Sequence, residues 1–140
     1  MRPPLLVVDA ANVVGVVPDG WWRRRREATE LLRAALEPVA AAGLAPDRVP
    51  AGLDWLAAPL EVVLVVEGAA ARVAGTENVR VLAAPASGDD AIVQLVATEG
   101  AGRPTAVATA DRALRARVRA LGAAVVPPTM LPRRARLAAG

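Results

Sequence analysis

A chain of 140 residues, 54% of them hydrophobic, can bury one core, and its lack of any cysteine or histidine removes disulfides, thiolate and imidazole metal sites, and every Ser-His or Cys-His nucleophile pair. All 17 cationic side chains are arginine, which also excludes Schiff bases and a Walker-type lysine; against 14 acids they leave a formal charge of +3, so where the arginines lie matters more than their sum. No apolar run approaches the roughly 18 residues of a membrane span, and "MRPPLLVVD" is too short in its apolar part for a secretory signal, which points to the cytoplasm.

The first strand is expected at residues 4–8, an apolar run that ends on a lone carboxylate, Asp9. Strands apolar on both faces belong to parallel sheets, whose ligands bind beyond the carboxyl ends of the strands. A helix follows at about 21–42, and then a Pro/Gly-rich loop, "GLAPDRVPAGLDWLAAP", with a short helical turn around Trp55. Further strands open at Glu61 ("EVVLVV"), Val79 ("VRVLA"), Thr105 ("TAVAT") and Ala123 ("AAVV"), with helices at 88–99 and 111–121 and a short one after Pro128. This alternation predicts a single three-layer α/β domain over 1–140, with a mainly parallel sheet and right-handed crossovers. A loop at about 43–60 and a basic tail at about 128–140 complete it; no internal repeat divides it.

Four strands deliver acids to the same edge of that sheet: Asp9, Glu67, the pair Asp89 and Asp90, and Asp111. Each has a purely structural reading as well. Ser87 and Asp90 have the spacing of a capping box, and Asp111 stands where it would cap the helix opening at Arg112. Repetition across strands favours a site. Ile92, Leu95 and Val96 mark the buried face of the third helix, and at 100° per residue Asp89 lies near that face while Asp90 points away. Carboxylates converging in one cleft repel unless a cation sits among them, and an all-oxygen donor set selects a hard ion, Mg²⁺ or Mn²⁺. Such an ion makes phosphodiester hydrolysis feasible without a histidine base. Asn12, three residues after Asp9, is either a turn residue or a neutral amide that orients a carboxylate, a water or a substrate phosphate. Ser87 and Thr109 have no base partner and are expected to cap helices or to support the acids, as is Asp90.

In "WWRRRREATELLRAALEPV" the expected buried stripe is Trp21, Ala28, Leu32, Ala35 and Val39, which leaves Arg24 and Arg25 at its margins. They either bind phosphates beside the cleft or form a solvated first turn. Arg112, next to Asp111, has the same two readings.

Taken together, "VVDAANVVG", "VVLVVEG", "SGDDAIVQL" and "AVATADRALR" resemble the NYN ribonucleases of the PIN-like superfamily, and within them the YacP-like bacterial branch. Asp9, Asn12, Asp89 and Asp111 match the family pattern over about residues 5–126, Glu67 stands where an Asp is usual, and the Pro-rich insertion is a departure. The resemblance implies a PIN-like α/β/α fold and a metal-dependent endoribonuclease. Asp9, Asp89, Asp111 and Glu67 would be its metal ligands and Asp9, Asp89, Asp111 and Asn12 its catalytic set; on the reading of the helix margins above, Arg24, Arg25 and Arg112, with Asn12, are the expected contacts to single-stranded RNA. The competing expectation is a catalytically silent PIN-like module that holds RNA or a protein. A phosphatase with an Asp nucleophile would want a second Asp where Ala11 stands, and dinucleotide binding lacks its G-x-G-x-x-G. RNA is the expected partner, without membrane, and the pattern is compatible with a homo-oligomer.

Overall fold

Five short runs dominated by Val, Leu and Ala form the centre of the molecule. The computed structural model describes residues 2–139 and contains one all-parallel sheet, ordered β3-β2-β1-β4-β5. Its strands are β1 (Leu5–Asp9), β2 (Glu61–Val66), β3 (Val79–Ala83), β4 (Thr105–Ala108) and β5 (Ala124–Val126). The helices are α1 (Ala10–Val13), α2 (Arg25–Ala42), α3 (Gly88–Thr98) and α4 (Arg112–Ala120). Period-two alternation splits the core in two. Leu6, Val8, Val62 and Leu64 pack with Leu32 and Leu36 of α2, while Leu5, Val7, Val63 and Val65 pack with Ile92 and Leu95 of α3 and Leu114 and Val118 of α4. The result is the expected α/β/α layering.

The chain runs outward from β1 to β3 with α2 on one face, then returns through α3 to β4 and α4 to β5 on the other. Right-handed crossovers in opposite directions require opposite faces. The reversal falls between β1 and β4, the position beyond which open parallel sheets place their ligands.

The charged groups at the amino end of the sheet are paired. Arg103, whose side chain is 8% exposed, bonds Glu61 at 2.8 Å; Arg80 meets Glu99 at 2.7 Å, and Arg2 reaches both acids, at 3.0 and 3.3 Å. Arg80's hydrogen bonds hold the Glu99 carboxyl down to about 2.

Several local expectations change. Helix α2 begins at Arg25 rather than near Trp21: Gly20 enters at φ +79°, Trp21–Arg23 form a 3-10 turn, and Arg24 is non-helical at φ −139°. Arg24 precedes the helix as its N-cap, and its side chain bonds Glu27 and the Ala138 carbonyl. Leu36, not Ala35, joins the buried stripe, and Trp21 is only half-buried. Asn12 lies within α1 rather than in a left-handed turn, and positive φ occurs only at glycines among the described residues. Gly43 ends α2 at φ +81°, where a Cβ would fall 2.4 Å from the Ala58 carbonyl oxygen. The loop after it carries 3-10 turns at Pro46–Arg48 and Asp54–Ala57. The expected helix after Pro128 is a single 3-10 turn, Pro128–Met130, followed by irregular chain. No described helix is long and apolar enough to cross a membrane.

Candidate active site at the carboxyl end of the sheet

Asp9 closes β1 at the switch point and is only 7% exposed. The Thr109 hydroxyl donates to Asp9 Oδ2 at 2.9 Å and accepts the Asp111 N–H at 3.1 Å, while Asn12 Oδ1 accepts the Ala110 N–H at 2.9 Å. These bonds stitch together the loops that leave β1 and β4. Burial raises the Asp9 pKa, the Thr109 bond opposes that rise, and the charges of Asp89 and Glu67 add to it.

Glu67 follows β2 and reaches the start of α3, where its Oε2 accepts the Gly88 N–H at 2.6 Å. A carboxylate there meets the positive end of the helix dipole. Glycine permits this approach: a Cβ at position 88 would lie 2.6 Å from the same oxygen and would push the Glu67 carboxylate aside. Ser87 Oγ accepts the Asp90 N–H at 3.3 Å and so caps α3. Helical phase separates the acidic pair. Asp90 is 72% exposed and pairs with Arg117 at 3.0 Å, whereas Asp89 is half-buried with a pKa raised by burial and then by the charges of Asp111 and Glu67. Asp111 Oδ1 accepts the Leu114 N–H at 2.9 Å and caps α4.

Asp9, Glu67, Asp89 and Asp111 therefore lie at one end of the sheet, and the raised pKa values of Asp9 and Asp89 register the charge gathered there. Among the described residues none of the four has an ion pair, although the chain carries 17 arginines. Nor are any three described acids gathered into a preset metal cage. The donor chemistry nonetheless suits a hard cation: every donor is a carboxylate oxygen, and two of the four resist ionisation in its absence.

The arginines differ in how free they are. Arg24 is engaged with Glu27 and the tail, Arg25 is exposed and lies 5.5 Å over the Trp21 ring, and Arg112 is exposed at the start of α4. Sequence reasoning missed three features. Gly88 was signalled only by its place between a cap and two acids. Arg115 donates from Nε to the Thr109 carbonyl at 2.9 Å, steadying the loop that carries the hydroxyl. Arg134, with its side chain 1% exposed, grips Asp19 at 2.8 and 2.9 Å and bonds the Val14 carbonyl, while Leu137 N–H donates to the same carboxylate. Nothing in "RRAR" separates that arginine from its neighbours.

No protein-family model matches the chain, and no curated protein matches it. Among solved structures it is similar to the crystal structure of a point mutant of Rae1 (YacP) from Bacillus subtilis. The TM-score is 0.60 at 20% sequence identity, with 93% of this chain and 72% of that chain covered. The two share the α/β fold.

Proposed function

We propose that the protein is a Mg²⁺- or Mn²⁺-dependent endoribonuclease acting on single-stranded RNA in the cytoplasm. The observation that carries the reading is that four carboxylates without an ion-paired arginine lie at the carboxyl end of the sheet, with Asp9 at the switch point between β1 and β4, close enough for Asp9 and Asp89 to feel the charges of their acidic neighbours. The likeness to Rae1 (YacP) agrees in fold with the YacP-like branch that the motifs resemble. Asp9, Asp89, Asp111 and Glu67 would hold the ion, which supplies polarisation of a phosphoryl group and acidification of water.

The chain's own groups do the rest. The Thr109 hydroxyl donates to Asp9 and so favours its carboxylate form, partly offsetting the rise that burial imposes. Asn12 is fixed by the Ala110 N–H, which leaves its Nδ2 donors without a protein partner among the described residues and free to meet a phosphate oxygen. Glu67 anchors the start of α3 and thereby sets where Asp89 stands. Arg25 and Arg112 are exposed and supply phosphate contacts at the rim.

One observation favours a catalytically silent binding module: Glu67 and Asp111 each already use a carboxylate oxygen on a helix N-terminus. Incubation of the purified chain with end-labelled single-stranded RNAs in Mg²⁺, Mn²⁺ or EDTA decides between them. The enzyme produces internal cuts that EDTA abolishes, whereas binding of RNA without cleavage in either metal identifies the module.

A further inference from the structure

Beside the acidic site lies a groove of about 430 Å³, within the range of roughly 300–1,000 Å³ usual for small-molecule sites. It opens from Asn12 and Ala110, the hydrogen-bonded pair at the switch point, so one end of it borders the carboxylates. One wall is the Trp21 indole, packed against the bare backbone of Gly15; a Cβ there would lie 3.3 Å from Trp21 Cζ2. Arg25 lies 5.5 Å over the same ring, so the tryptophan is held between neighbours. Pro127 and Pro128 also line it. These rings are stiff and apolar.

The polar lining has the opposite charge to the site next door. No carboxylate lines the groove, and one guanidinium does, that of Arg115. Its Nε is committed to the Thr109 carbonyl, while its two terminal nitrogens have no protein partner among the described residues. An open, mainly apolar groove that also offers a cation and an amide fits a ligand that joins a flat heterocycle to an anion. That is the chemistry of a nucleotide.

We propose that this groove is a nucleotide subsite for the RNA strand, resting on the ribonuclease reading above. The base of the nucleotide flanking the scissile bond sits against Trp21 and the two prolines, and its phosphate meets Arg115 and the Asn12 amide. A base can enter only if it is unpaired and out of its stack, so the subsite selects single strands over duplex. Stiff walls lower the ordering cost of binding.

The test is binding in EDTA, where cleavage plays no part, read as fluorescence anisotropy of a labelled mixed-sequence RNA hexamer and of its duplex. Thr129 is exposed and only its carbonyl is bonded, by Arg48, so Thr129→Trp fills the groove without touching the core. Loss of one base contact is worth about 1–3 kcal/mol, so Thr129→Trp and Arg115→Gln should each weaken hexamer binding at least about tenfold while Arg115→Lys recovers part of the loss. Duplex binding should change by less. Variants that bind the hexamer like wild type, or that lose hexamer and duplex equally, overturn the subsite, as does a wild type that binds no hexamer. None of these outcomes decides the ribonuclease reading, which is tested separately by metal-dependent cleavage.

Discussion

At the amino end of the sheet Arg2, Arg80 and Arg103 interleave with Glu61 and Glu99 at 2.7–3.3 Å, whereas at the carboxyl end Asp9, Glu67, Asp89 and Asp111 have no arginine partner among the described residues. The same strands begin in one environment and end in the other. The Glu99 carboxyl is held down to about 2 by Arg80, while burial and mutual repulsion push Asp9 and Asp89 up. With 17 arginines available, neutralising the acidic end would have been simple chemistry. Unpaired charge is the exception in a folded protein, and places where local consistency fails are where function is expected. The amino end stabilises the sheet; the carboxyl end is where the proposed metal and RNA would bind.

The pairing rule can be broken hardest at Arg134, the most buried charge of all. Arg134→Ala leaves Asp19, 4% exposed, without its counter-ion and frees the tail from the Val14 carbonyl. Urea unfolding should show a loss of about 3–5 kcal/mol. At the amino end, Glu61→Ala removes the carboxylate from Arg103 and should cost about 2 kcal/mol, with cleavage per folded molecule unchanged. If Glu61→Ala instead altered cleavage, the division of labour between the two ends would be wrong.

Acid sharpens the contrast. Because Glu99 is at about 2 in the fold against an ordinary 4.5, the stability it supplies is fully present above 4.5 and is lost as pH falls through about 2. The melting temperature of wild type should therefore fall across that window, and Glu99→Gln should fall less steeply. The smallest effects belong to the rim. Arg25→Ala and Arg112→Ala should each flatten the salt dependence of RNA binding by roughly one phosphate's worth. Arg24, engaged with Glu27 and Ala138, should leave that slope nearly unchanged.

The sheet, its helices and the four acids at one edge were legible because buried parallel strands write themselves as unbroken apolar runs; β1 and β2 run directly into Asp9 and Glu67, and the acids that follow β3 and β4 stand at the starts of the next helices. Phase along α3 separated Asp89 from Asp90 for the same reason: a helix converts spacing into direction. The start of α2 was not legible. Trp21 and Arg25 have helical spacing, yet the left-handed Gly20 and the 3-10 turn at Trp21–Arg23 delay the helix, and Arg24 at its start bonds a tail more than a hundred residues away. Arg134 and Arg115 were hidden for a related reason, since an arginine's role depends on which carbonyls the fold brings to it, and sequence spacing carries no trace of that.

Asp89→Asn tests the central claim most directly, because the amide keeps the shape of the side chain and removes only its charge. With labelled single-stranded RNA in Mg²⁺ or Mn²⁺, cleavage should fall at least about a hundredfold, or roughly 2.7 kcal/mol of barrier. RNA binding should survive or tighten, and the melting temperature should hold or rise as repulsion at the carboxyl end is relieved. Cleavage equal to wild type and indifferent to EDTA would contradict the account, since the unpaired carboxylates would then have no part in the chemistry.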